Sequence, residues 1–300
     1  MTRVSVVIPA YNHAQYIGAA IKSIYEGNFR NFEIVVVDDG SSDSTYLEVS
    51  KFPEVKYVYQ DNSGAHAAIN AGIANASYKY IAILNDDDLY LPDHLENAIN
   101  NINRFGNDLF IGSPQIIGTG PKYAALSKHV KASTIAIEEY GYKYSLLKVN
   151  WSLSTSAFVF KKSLFTDLGG FSEYKMCHDL DFLLRAIFEK EINWGVSIQP
   201  TWQYRCHESN SGSSIKLIHQ QIEIALCALQ VIKKCNRGNS SLDLKTILDY
   251  GLPKDLVDLV DSNLISAGNT LLPPRVQNFV SRLLPELTRR YAIQSKMQEA

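Results

Sequence analysis

Apolar positions in the first hundred residues follow two alternating rhythms. Val4–Ala10 (VSVVIPA) is a short, nearly unbroken apolar run, the mark of a strand buried on both faces. The next segment, AQYIGAAIKSIYE, repeats apolar side chains at Ile17, Ala20, Ile21 and Ile24, which is helical spacing. Phe32–Gly40 (FEIVVVDDG) is a second buried strand that ends in acid and glycine, and Val55–Gln60 is a third. AHAAINAGIANA predicts a slim helix of small residues, Tyr80–Asp88 (YIAILNDDD) a fourth strand, and a further helix starts near Pro92. Strands alternating with helices predict an α/β fold with a mostly parallel sheet and right-handed crossovers. Ligands of such sheets bind beyond the carboxyl ends of the strands, where both acidic clusters stand.

Past Asp108 the rhythm is less regular. DLFIGS reads as a strand, and the stretch from Gly118 to Asn150 as loops and short helices. STSAFVFKK reads as a strand, HDLDFLLRAIFEK as a helix, and INWGVSIQ and TWQYRCH as two strands. Residues 214–300 turn helical, punctuated by Gly238, Pro253, Gly268 and Pro273-Pro274. The tail sequence from Pro273 sets Val276, Phe279, Val280, Leu283 and Leu284 against several arginines, an amphipathic basic pattern. Contact with a membrane surface, packing on the α/β domain and homo-oligomerisation all stay open for these helices.

Composition narrows the classes. At 46% apolar and 20% charged the chain is ordinary globular material. Its net charge of −2, from 29 basic and 31 acidic residues, provides no global field to hold nucleic acid. Four cysteines without a Cys-x-x-Cys pair suit a reducing compartment, and no signal-peptide core or membrane span is legible. A cytoplasmic protein is expected, peripheral at the inner face of the membrane if the tail docks there.

Four patterns carry candidate chemistry. Asp86, Asp87 and Asp88 follow one another at a strand end, where two charges about 4 Å apart repel by roughly 1 kcal/mol even in water. A hard divalent cation relieves that repulsion, and a solvated acidic turn with Asp88 capping the next helix is the alternative. Asp38 and Asp39 end another strand, placed either to accept from a base or ribose or to make a plain Asp-Gly turn. Asp179 at a helix start is either a general base or a charge favoured by the helix dipole. Arg205 and His207 alternate on a strand and so share a face, offering a cation and an imidazole.

Seven segments occur in order: VSVVIPAYN, EIVVVDDGSSDST, NSGAHAAINAGIANA, YIAILNDDDLYLP, GGFSE, HDLDFLLR and YRCHESNSGSS. Together they resemble the inverting family 2 glycosyltransferases of GT-A fold, from Val4 to about Ser213. The resemblance implies a catalytic domain over 1–213, with a nucleotide-binding half (1–112), an acceptor half (113–213) and a helical region over 214–300. It implies that Pro9, Tyr11, Asn12, Asp39, Gly64 and Asp86 border the nucleotide, that Asp87 and His207 hold Mn²⁺ or Mg²⁺, and that Arg205 meets the diphosphate. Asp179 would be the catalytic base. A nucleotide-sugar donor and a glycan or lipid-linked acceptor are the implied partners. The tyrosine-rich stretch ending in Trp151 is either an acceptor wall or ordinary core aromatics, and His178 either touches the acceptor, tunes Asp179 or merely neighbours the helix cap. Two departures stand out: Asn85 where the family usually has an acid, and His178 where it often has Glu. The alternatives are a non-catalytic nucleotide-sugar binding module and a sugar-nucleotide nucleotidyltransferase. The latter lacks its glycine- and lysine-rich loop after the first strand. A dinucleotide-dependent oxidoreductase is disfavoured, because PAYNHAQYIG stands where Gly-x-Gly-x-x-Gly belongs.

Overall fold

The computed structural model describes residues 2–147, 149–207, 210 and 227. The chain divides into two units, Met1–Ser214 and Ile215–Ala300, and the fold below belongs to the first. The helices expected over 214–300 lie outside the described residues, apart from Cys227.

The first half forms as its hydrophobic rhythm dictates. Strand β1 spans Val4–Ala10 and all seven residues are buried. It lies between β2 (Phe32–Asp38) and β4 (Tyr80–Ile83), parallel to both, which is why a continuous apolar run is needed there. Strand β3 (Lys56–Tyr59) adds to β2 in parallel at the sheet edge. Helix α1 (Ala14–Glu26) buries Ile17, Ala20, Ile21 and Ile24, the spacing legible in the sequence. A short helix α2 (Thr45–Val49) precedes β3, and α3 (Ala65–Asn75) follows it. Helix α3 is slim for a packing reason: a Cβ on Gly72 would overlap Val7 Cγ1 of the central strand.

The second half adds antiparallel pairings to the parallel ones of the first half. Strand β5 (Leu89–Tyr90) and helix α4 (His94–Phe105) lead to β6 (Leu109–Ile117), then to helix α5 (Gly120–Ser145). A 3-10 turn, Thr155–Ala157, feeds β7 (Phe158–Lys161), followed by α6 (Lys162–Leu168), α7 (His178–Leu184) and β8 (Trp194–Arg205). The strand order is β3-β2-β1-β4-β7-β6-β8-β5. Strand β7 is antiparallel to both β4 and β6, and β6 is parallel to β8. Two reversals restore direction, so β6 and β8 end on the same sheet edge as β1, β2 and β4, and β7 begins there.

Three local expectations give way. The stretch after Gly118 forms one 26-residue helix bent at Gly141 (φ 69°), because Gly141 lets two helical segments meet without a loop. INWGVSIQ and TWQYRCH form a single strand through Pro200. Irregular register against β6 between Ile111 and Pro114 accommodates it. The helix at HDLDFLLRAIFEK is α-helical only to Leu184 and continues as a π turn, Arg185–Glu189. Among the described residues no helix is long and apolar enough to cross a membrane.

Among the described residues His94 is the one fully buried imidazole. Its ring stacks on Tyr90 at 3.9 Å, its Nδ1 lies 3.0 Å from Thr201 Oγ1, and its Nε2 meets no hydrogen-bond partner among the described residues. Burial lowers its pKa from 6.5 to about 3. Above pH 6.5 folded and unfolded chains both carry it neutral. Below that, only the unfolded chain gains the proton, until the folded value is reached. Stability therefore falls as pH drops from about 6.5 towards 3, by up to about 1.4 kcal/mol per pH unit from this group. In urea unfolding at pH 7 and pH 4.5, the gap between wild type and His94→Gln is expected to narrow at the lower pH. An unchanged gap would show that His94 does not titrate on unfolding.

Candidate active site

The strand ends that share one sheet edge are followed by the loops that carry the candidate residues. Strand β4's hydrogen bonding runs on through Leu84 N to Val7 O, at 3.0 Å, and then releases Asn85–Asp88 at the edge. These four side chains reach three parts of the chain: the start of α1, the turn before β7 and the end of β8.

Asn85 is held by the turn before β7. Its Nδ2 donates to Ser154 Oγ at 3.0 Å, its Oδ1 accepts from Thr155 Oγ1 at 2.9 Å, and its backbone N–H donates to Ser156 Oγ at 3.0 Å. An amide that both donates and accepts fits this pair of hydroxyls, which accounts for Asn where an acid was expected. Asp86 is 5% exposed and accepts from Tyr11 N at 3.0 Å and from His13 Nδ1 at 2.8 Å. Burial pushes its carboxyl up to about 6, against the His13 hydrogen bond that favours ionisation, with the Asp87 charge adding to the rise. Burial would lower the His13 imidazole, but the Asp86 hydrogen bond and the charges of Asp86, Asp87 and Asp43 outweigh it and raise it above 6.5. Asp88 does not cap the next helix. Its Oδ2 accepts from Ser156 Oγ at 2.6 Å and its Oδ1 from Arg205 N at 3.1 Å. Burial, then the Asp87 charge, drives its carboxyl well above the ordinary value.

Asp87 faces the end of β8. Its Oδ2 lies 2.9 Å from His207 Nε2 and 3.1 Å from Asn210 Nδ2, and its carbonyl accepts from Arg205 Nε at 3.0 Å. The Arg205 guanidinium sits over the Tyr16 ring, 5.2 Å from its centroid. Lys122, in the first turn of α5, donates to the His207 carbonyl at 2.8 Å. Ligand atoms of His13, Asp87 and His207 all lie within 4.8 Å of one another, a donor set that fits a divalent cation.

The nucleotide-side candidates form a connected rim. Pro9 is buried in β1 opposite Val37. Tyr11 is 48% exposed and leaves its ring in the open. Asn12 takes φ 53°, donates its N–H to Ser41 Oγ at 2.9 Å and accepts from Ser42 N at 2.8 Å, tying the ends of β1 and β2 together. Asp39, 3% exposed, accepts from Gln60 Nε2 and Ser63 N on one oxygen and from Gly64 N on the other, at 2.7, 2.9 and 2.8 Å. It therefore holds the loop into α3, where Gly64 adopts φ 91°.

On the other side, Asp179 begins α7 and is 5% exposed, with Oδ2 accepting from Asn150 Nδ2 at 2.8 Å. The α7 start is anchored from behind. Arg185 pairs with Asp181 at 2.7 Å and donates to the carbonyls of Leu168 and Gly170, while the Asn70 amide exchanges two hydrogen bonds with the Phe171 backbone. Trp151 is 7% exposed, stacked against Trp194 at 6.2 Å, with its Nε1 donating to the Tyr142 carbonyl. Its ring is thus packed inward rather than open as a platform. His178 is half-buried, edge-on to Phe171 at 6.3 Å. Tyr204 links the two sides: burial raises its hydroxyl pKa, and the charges of Asp88, Asp87 and Asp179 all add to that rise.

Sequence reading missed four contributors: His13, Asn150, Asn210 and Ser156. His13 and Asn210 lie within quoted motifs, next to Asn12 and within NSGSS. Asn150 and Ser156 carried no local signal, since only the reversal at β7 brings them to this edge.

The fold is an α/β sheet whose strand-end acids meet a late arginine and histidine at one edge. The chain belongs to glycosyl transferase family 2, whose family model matches residues 5–169. An uncharacterized glycosyltransferase of Rickettsia prowazekii (strain Madrid E) is 41% identical over 105 residues, 35% of this chain and 33% of the relative. The match thus spans about a third of that relative's length. One from Haemophilus influenzae is 25% identical over 252 residues, covering 82% of this chain and 83% of the relative. Among solved structures, S. aureus TarS 1–349 in complex with UDP-GlcNAc superposes with TM-score 0.63 at 20% identity, over 92% of this chain and 78% of that one. The mannosyltransferase PcManGT from Pyrobaculum calidifontis, in complex with GDP-Man and Mn²⁺, gives 0.56 at 18% identity, over 99% and 84%. These likenesses carry the GT-A fold.

Ser156 is fully buried and serves Asp88 and Asn85 N at once. Ser156→Ala leaves both without that partner and is expected to cost about 2–3 kcal/mol in urea unfolding. A loss below about 0.5 kcal/mol would mean that neither bond matters to the fold.

Proposed function

We propose that the chain moves one sugar from a UDP- or dTDP-linked donor to a hydroxyl of a glycan or lipid-linked acceptor, with inversion at the anomeric carbon. The observation that carries the reading is geometric: one short segment bonds both carboxylate groups, Asn150 Nδ2 donating to Asp179 at 2.8 Å and Ser156 Oγ to Asp88 at 2.6 Å. Family membership supports the transfer, and the nucleotide-sugar complexes of TarS and PcManGT support the donor class.

In this reading residues 1–112 hold the nucleotide and 113–213 the acceptor. The exposed Tyr11 ring borders the base and ribose, while Pro9, Asn12, Asp39 and Gly64 shape the backbone beside them. Asp86 fixes Tyr11 from below. Asp87 and His207 hold Mn²⁺ or Mg²⁺, and Arg205 adds a positive charge beside the diphosphate. A bound cation supplies Lewis-acid stabilisation of the leaving nucleoside diphosphate. Asp179, steadied by Asn150, accepts the proton of the acceptor hydroxyl as that oxygen attacks the anomeric carbon from the face opposite the diphosphate. A single displacement of this kind inverts the configuration. The half-buried His178, next to the base, lies on the acceptor side, and Trp151 acts through packing behind Asn150.

The class is tested with a panel of UDP- and dTDP-sugars in Mn²⁺, scored by binding and by slow donor hydrolysis. General-base catalysis typically contributes about 10²–10⁴-fold, so Asp179→Asn is expected to lower turnover by that factor with donor affinity retained. Unchanged turnover in a folded variant would remove Asp179 from the reaction. Calorimetry of UDP on EDTA-stripped protein is expected to show weak binding, restored by Mn²⁺ in wild type but not in Asp87→Asn. Equal UDP affinity with and without metal would sink the assigned role of Asp87.

A further inference from the structure

We propose that His13 is a third protein ligand of the cation assigned to Asp87 and His207, and that two imidazoles with one carboxylate make this site favour Co²⁺ and Mn²⁺ over Mg²⁺ and Ca²⁺. The inference rests on the reading that a cation binds at Asp87. Ligand atoms of the three side chains lie within 4.8 Å of one another, and the His13 and His207 rings meet edge-on, 5.3 Å apart at 88°. His13 is oriented from behind: Asp86 Oδ1 lies 2.8 Å from its Nδ1. Such a contact favours the tautomer that carries the proton on Nδ1, which leaves Nε2 as the ligand atom. A carboxylate behind the ring is how metal-bound histidines are commonly aimed and made more basic.

The backbone beneath His13 is held just as firmly. The other oxygen of Asp86 accepts from Tyr11 N, and Asn12 N is bonded to Ser41 Oγ. His13 itself is the residue that caps α1, whose first N–H, from Ala14, is taken by Asp43 at 2.9 Å. One carboxylate thus places both the imidazole and the chain two residues before it, so the ring needs little ordering to meet an ion. Metal preference follows from ligand type. Mg²⁺ and Ca²⁺ are bound by oxygen ligands, and Mg²⁺ gives up its waters reluctantly. Imidazole nitrogen favours the transition ions, with affinity rising from Mn²⁺ to Co²⁺.

The test uses the metal-stripped full chain titrated with Co²⁺ and, separately, Mg²⁺, followed by calorimetry and, for Co²⁺, visible absorption. Wild type is expected to bind Co²⁺ more tightly than Mg²⁺. His13→Gln is expected to lose on the order of 10–100-fold in Co²⁺ affinity while Mg²⁺ binding changes little. Equal losses for both ions, or no loss for either, would overturn the proposal. Asp87→Asn separates the two readings. If it abolishes binding while His13→Gln is silent, the cation at Asp87 stands and the His13 assignment falls; if Asp87→Asn is silent too, both fall. Electron spin echo spectra of Mn²⁺-loaded wild type need no variant: two coupled imidazole nitrogens are expected, and a single one would refute a role for His13.

Discussion

Consecutive carboxylates at the end of a buried strand repel one another more strongly as water is withdrawn. In this chain each carboxylate is given hydrogen-bond partners of its own. Asp86 takes the start of α1 through Tyr11 and His13, Asp88 takes the turn before β7 and the end of β8, and Asp87 takes His207 and Asn210. Asn85, the uncharged member, bonds the Ser154-Thr155 hydroxyls. The acidic tetrad therefore works as a hub that gathers distant loops onto one edge of the sheet. Each carboxylate is thereby held in a fixed direction by its own hydrogen-bond partners.

The sheet makes that gathering feasible. Strand β7 runs against both β4 and β6, so its start, with the Ser154–Ser156 turn before it, lies at the edge where β4, β6 and β8 end. The long β8 also pairs with β5, immediately after Asp88, so the acidic loop is pinned at both ends. Behind Asp179, the buried Arg185–Asp181 pair and the Asn70–Phe171 exchange hold the start of α7 against the sheet. Buried pairs of this kind add little net stability, yet breaking one is costly, which suits a role in fixing position.

How far the sequence went differs along the chain. Strands β1 and β2 and helices α1 and α3 were legible almost to the residue, because each is built by a short-range rhythm: a run of apolar residues where both faces are covered, or a 3.6-residue repeat where one is. The acids at the ends of β2 and β4 were equally visible, since turn chemistry is local. The kinked α5, the single strand through Pro200 and the π turn after Leu184 were not, because each depends on what packs beside it.

By itself, the order of residues determined the parallel half of the sheet, the residues that stand at its carboxyl edge, and the family to which they belong. Tertiary structure alone decided which partner each acid meets. It turned Trp151 inward and brought Asn150 to Asp179, and it set His13 across from His207. Those pairings join residues as far apart as Asp87 and His207, and nothing in a local hydrophobic pattern records the β5–β8 pairing that closes such a distance.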